Sequence, residues 1–177
     1  MNTWGMGVES SSIGLLVARL AIGLLMAAHG AQKLFGWFGG SGPKRAGEAM
    51  AQIGFRPGFA FAIAAGATEF MGGLLVALGL FGPVGPALML SVMIVAIITV
   101  HWSHGVFAMT NGVEVPLLYA IASIVFAGVG YGGHSLDALL NIGGLWSPPV
   151  TWVVLSVGFI GGLANTVIRR PVERQGV

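Results

Sequence analysis

Five apolar runs leave this chain little choice of environment. They span residues 13–31, 59–80, 84–100, 115–129 and 150–168, separated by short polar or glycine-rich stretches. A helix needs about 20 apolar residues to cross ~30 Å of hydrocarbon. Four of the runs come close, and the fourth is short, so it must extend into its flanks or lie where the bilayer is thinner. Of the 177 residues, 55% are hydrophobic and only 8% charged, where a soluble domain carries about 25% charged residues. The expected fold is therefore an all-α polytopic membrane helix bundle. Twelve of the 30 glycines sit within the apolar runs and point to close helix packing. With no cysteine, disulfides, thiol chemistry and cysteine-ligated iron–sulfur clusters are excluded. The net charge of +2 is too small to suggest nucleic acid.

The placement of charge predicts orientation. Lys33, Lys44, Arg45 and Arg56 fall in the first connection, and Arg169, Arg170 and Arg174 in the tail. The connections on the opposite side, 80–84 and 130–149, carry no Lys or Arg. Basic residues collect in the cytoplasm, which puts the N-terminus outside, the C-terminus inside, and an odd number of spans between them. The first twelve residues carry no Lys or Arg, whereas a cleaved signal peptide has a positive n-region. Ser11 or Ser12 instead suits the N-cap of a permanent helix. In the first connection, "PKRAGEAMAQIG" has Pro43 at a first helical position and Ala46, Met50 and Ile53 at helical spacing, which predicts a short interfacial helix.

Two charges fall inside the runs. Arg19 is six residues into the first and Glu69 ten residues into the second, from the other side. At 1.5 Å per residue these depths are about 9 and about 15 Å, so their levels in the membrane differ by only about 6 Å. A charge at such depth needs a partner, and Arg19–Glu69 is the expected intramembrane pair.

The first run ends as "LLMAAHGAQKLFGWFGG", with His29, Gln32 and Lys33 on one helix face. The third run ends at the same side with His101 and His104 in "HWSH", and the fourth begins there with Asn111 and Glu114 in "NGVE". Snorkelling lysine and an aromatic belt with Trp37 and Trp102 account for part of this set, but histidine is not a usual belt residue. A polar headgroup site fits the rest. His29, Gln32, Lys33, His101, Asn111 and Glu114 would bind a quinone or similar molecule, with Phe35, Trp37, Phe38 or Phe107 against its ring. Glu114 is expected beside Lys33 as its charge partner. The competing use of His29, His101, His104 and Glu114 is a metal or haem site, and no metal is expected.

Taken in order, "RLAIGLLMAAHGAQKLFG", "GATEFMGGLLVALGLFGPVGP", "HWSHGVF", "NGVEVPLLY" and "GGHSLD" resemble the DoxX family of bacterial membrane proteins over about residues 19–137. That resemblance implies a four-helix membrane core, here 13–140. It implies recurrent polar positions at His29, Gln32, Lys33, Glu69, His101, Asn111, Glu114, Tyr119 and Asp137. Members are often described as oxidoreductases. Relatives include the membrane subunit of an archaeal thiosulfate:quinone oxidoreductase and a member of a mycobacterial oxidative-stress complex. The implied function is a membrane subunit of a redox system in the bacterial inner membrane, with quinone at the cytoplasmic face. A non-catalytic anchor or assembly partner for a soluble redox enzyme is the alternative, as is a small-solute or proton pathway. Beyond the core, 149–168 forms an added fifth span and 169–177 a basic tail. Gly158 and Gly162 in that span form a close-packing signature, open either to docking on the bundle or to a homo-oligomer.

Overall fold

The computed structural model describes residues 3–170, and among these every regular element is helical. The seven helices are α1 (Thr3–Leu34), α2 (Gly42–Gln52), α3 (Gly58–Leu78), α4 (Val84–Ala96), α5 (Glu114–Val129), α6 (Leu136–Leu139) and α7 (Pro148–Val167). Four helices are long and apolar enough to cross a membrane: Ser11–Leu34, Gly58–Leu78, Val84–His104 and Pro148–Val167. The fourth of the five apolar runs is α5, with 16 residues, about 24 Å at 1.5 Å per residue. Arg174 of the basic tail lies outside the described residues.

Small residues set how the helices meet. Along α1, Gly23, Ala27 and Gly30 face Gly66, Gly73 and Ala77 of α3, so close that a Cβ on Gly23, Gly30 or Gly73 would overlap the opposing backbone. Gly23 meets Gly73 and Ala77, while Gly30 meets Gly66 and Phe70, so the two helices run antiparallel. Without water to drive association, such close van der Waals approach is what joins helices in lipid. Beyond α3 comes α4, which packs on α3, α5 and α7 and sits at the centre of the bundle. Met26, Val76, Met89 and Leu90 are among the side chains that fill the middle.

Gly158 backs onto Ala87 of α4 and Gly162 onto Ser91. Both contacts advance by four residues, so α4 and α7 run parallel. Of the two uses open to this glycine pair, the structure has docking within the chain.

The interfacial segment forms the expected short helix α2, with proline in its first turn and Ala46 and Gly47 buried against the start of α3. The start of α1 departs from expectation. Its helix begins at Thr3, so Ser11 and Ser12 lie within it and not at its cap. No proline interrupts 3–12, so nothing ends the helix earlier. At its far end α4 continues as a π-helical turn, Ile97–His101, and a 3₁₀ turn, Trp102–His104.

The bundle thus has two distinct ends. The end of α1, α2, the start of α3 and the end of α7 bring Lys33, Lys44, Arg45, Arg56, Arg169 and Arg170 to one side. There the Arg170 N–H donates to the Gly54 carbonyl at 2.9 Å, clasping α7 to the corner after α2. The opposite end, formed by 79–84 and 130–147, has no Lys or Arg in its connections.

Candidate functional site

Glu69 lies in the middle of α3 and is buried. Its partner is Lys33, whose Nζ lies 2.5 Å from Glu69 Oε2. Lys33 sits one residue from the end of α1, and its chain turns inward because Gly66 leaves room: a Cβ there would come within 3.1 Å of the Lys33 Cβ. The pair is asymmetric, with Lys33 28% exposed and Glu69 6%. Tyr119 of α5 is buried as well. His29, exposed one helical turn before Lys33, meets the Tyr119 ring edge-on at 6.0 Å between centroids. His29 and Tyr119 thus form a ring contact and Lys33 and Glu69 an ion pair, and the two pairs are neighbours through His29 and Lys33, one helical turn apart on the same face of α1.

The expected Arg19–Glu69 pair is not formed. The glycine seam fixes the register of α1 on α3, and it sets Arg19 level with Ala77, eight residues from Glu69 and so about 12 Å along the helix. Depth counted from the ends of the apolar runs missed this, because the helix crossing sets the level. Arg19 is 1% exposed, and its Nη1 donates to the Ala77 carbonyl at 3.1 Å. Lys33 already neutralises Glu69, so Glu114 is not its charge partner either. Glu114 Oε2 accepts from the Ala108 N–H at 2.7 Å.

The other residues of the expected cluster stay with their own connection. His101 Nδ1 is 2.7 Å from the Asn111 carbonyl, and His104 Nδ1 is 2.8 Å from the Val100 carbonyl. Asn111 adopts the left-handed conformation that turns the loop, with φ +64°. The Val113 N–H donates to Gly105 O and the Glu114 N–H to Val106 O. Gln32 donates from Nε2 to the Phe38 carbonyl at 3.2 Å and packs against Gly40, bracing the turn after α1. The expected single pocket therefore divides. His29 and Lys33 belong to the intramembrane set, and Gln32, His101, Asn111 and Glu114 hold loops. Among the described residues no three His, Cys, Asp or Glu side chains gather where a metal ion could be held. Phe35 meets Trp37 at a tilt and Trp37 meets Phe38 edge-on, with ring centroids 4.8 and 6.4 Å apart, all exposed as an interfacial belt would be.

A second polar centre lies at the other end. Asp137, 5% exposed, accepts the Phe81 N–H at Oδ1 and the Gly82 N–H at Oδ2, each at 2.7 Å, while its own N–H donates to Gly79 O. It thereby satisfies the donors of the α3–α4 turn. Ser135 caps α6 by accepting the Ala138 N–H. Gly79 ends α3 in the left-handed conformation, with φ +64°, and a Cβ there would overlap the Arg19 guanidinium. Tyr131 is buried between these charges. Burial pushes its phenol well above the usual range, the Asp137 carboxylate adds to the shift, and the Arg19 guanidinium opposes it. Reading the residues one by one did not reveal Tyr131, Ser135 or Trp146. The one available signal was "GGHSLD" itself, where Ser135 stands as a cap two residues before an acid.

Helices of membrane-crossing length, buried charges held inside them and basic residues collected at one end define a multi-pass helical membrane protein. The family model named DoxX matches residues 14–102, half of the chain, and the chain belongs to the DoxX family. No curated protein and no solved structure matches it. The matched region ends at Trp102, so Lys33, Glu69 and His29 lie within it, and Tyr119 and Asp137 beyond it.

Proposed function

We propose that the chain is the membrane subunit of a redox system and that a quinone headgroup is received at the set His29, Tyr119, Glu69 and Lys33. The observation that carries this reading is a buried carboxylate tied to a lysine, with an exposed histidine one helical turn from that lysine and packed edge-on against a buried tyrosine. Quinone reduction to quinol consumes two electrons and two protons. Glu69, Lys33 and His29 are groups able to exchange those protons near the ring, and Tyr119 and His29 offer hydrogen bonds to its oxygens. The electrons come from a soluble redox enzyme docked on the membrane subunit. The functional test is extraction. Protein purified from native membranes should carry on the order of one quinone per chain, and Glu69→Gln and His29→Ala should each lose most of it. Wild-type protein holding no more quinone than an unrelated membrane protein purified in the same way would end the proposal.

By the same reading the basic end faces the cytoplasm of a bacterial inner membrane, because seven of the eight Lys and Arg belong to that side. A phosphatase fusion after Gln175 should be inactive, and one inserted at Gly133 active. The reverse pattern would invert the orientation and move the quinone site to the outer half of the membrane.

A further inference from the structure

The end whose connections carry no Lys or Arg holds a cavity of about 290 Å³ between the end of α5, the start of α4 and the start of α7. Its position makes it independent of the quinone site proposed above. Asp137, Tyr131, Trp146 and Trp152 line it, and among the described residues no Lys, Arg or His does. The last turn of α5 ends against it. The final carbonyls of a helix have no intrahelical donor, and the helix dipole is negative there. The Asp137 carboxylate, the negative end of the α5 dipole and the aromatic faces together favour a cation, which aromatic rings also attract through their quadrupole, while Arg19 sits behind the wall against Gly79 and does not line the cavity. Two of the lining side chains lack something else: the Tyr131 hydroxyl and the Trp146 indole nitrogen are buried with no hydrogen-bond partner among the described residues. Both can donate, so the missing partner is an acceptor.

Trp152 also borders an open apolar groove of about 260 Å³, with Leu90, Ile124, Leu155, Phe159 and Ile160. This groove follows α7 from the cavity toward the middle of the membrane. A cavity that carries a carboxylate and two unpartnered donors, and that shares Trp152 with an apolar track, suits a molecule that has a head with both a cation and acceptor oxygens, and an aliphatic tail. We propose that this is a binding site for an amine-headed zwitterionic phospholipid. Its ammonium group lies toward Asp137 and the end of α5, its phosphate and ester oxygens toward Tyr131 and Trp146, and one acyl chain in the groove.

Native mass spectrometry of the full-length protein, delipidated and then titrated, tests the site. The probes are dioleoyl phosphatidylethanolamine and dioleoyl phosphatidylglycerol, which share chains and differ in head. The amine lipid should be retained on the order of tenfold more strongly, as a hydrogen-bonded charge would give. Asp137→Asn should abolish that preference. Because Asp137 also braces the α3–α4 turn, a second variant carries the test. Gly128 and Gly143 both line the cavity, and a Cβ on either meets nothing within 4 Å. Gly128→Leu or Gly143→Leu should therefore fill the cavity in an intact bundle and remove retention of the amine lipid. Equal retention of the two lipids by the wild type, or undiminished retention in both leucine variants, would overturn the proposal.

Discussion

Gly73→Leu should prevent the bundle from assembling. Gly73 sits against the backbone of Gly23 and Ala27, and even a Cβ would overlap Ala27 there. Overpacking a core ordinarily costs about 1–3 kcal/mol because neighbouring side chains shift. Here the obstacle is backbone, so relief requires α1 and α3 to move apart along their whole seam, and the loss should exceed about 3 kcal/mol. Little protein should survive detergent extraction as a monodisperse species, and what does should melt far below wild type. Gly14→Leu supplies the control on α1, since Gly14 is exposed and a Cβ there meets nothing within 4 Å. A Gly73→Leu protein as stable as the Gly14→Leu protein would mean that α1 and α3 do not cross at these glycines.

The second large effect is an asymmetric one. Lys33→Met strands the Glu69 carboxylate where water does not reach it, and breaking a buried pair from one side costs about 3–5 kcal/mol. Partial exposure of Lys33 puts the expected loss at about 3 kcal/mol, the lower end of that range. Glu69→Gln should cost distinctly less, because the freed lysine can swing out to the headgroups. The double variant should then be about as stable as Glu69→Gln alone. Arg19→Met, in contrast, should add independently to Glu69→Gln, since the two residues share no contact. Melting temperatures in one detergent decide the matter. Coupling between Arg19 and Glu69, with none between Lys33 and Glu69, would refute the observed pairing.

How much of this could be read beforehand depended on the kind of signal. The apolar helices, the shortness of α5 and the amphipathic α2 follow from local pattern, which hydropathy, Pro43 and the spacing of Ala46 and Met50 display directly. Pairing inside the membrane does not follow from local pattern. Glu69 had two basic candidates, and which one reached it was settled by the register of Gly23 and Gly30 on α3, a property of the helix crossing. The same limit applies to His101, Asn111 and Glu114. Their position at one end was legible, but polar side chains in a tight connection bond first to the nearest backbone, and here they close the 101–114 loop. Tyr131 and Trp146 were invisible for a different reason. A lone aromatic beside glycines reads as interface decoration until the cavity around it is known.

The seam between α4 and α7 has a consequence for biosynthesis. Synthesis proceeds at about 5–20 residues per second, and the last residue of α7 follows that of α4 by roughly 70 residues, so the partner arrives roughly 4–14 s later. Until then the strip of α4 carrying Ala87 and Ser91 has no glycine surface to receive it, and the Gly54 carbonyl has no Arg170 N–H. The newborn chain is thus an open bundle that must wait for its own final helix. The late-arriving Gly158 and Gly162 act as the latch of the whole assembly.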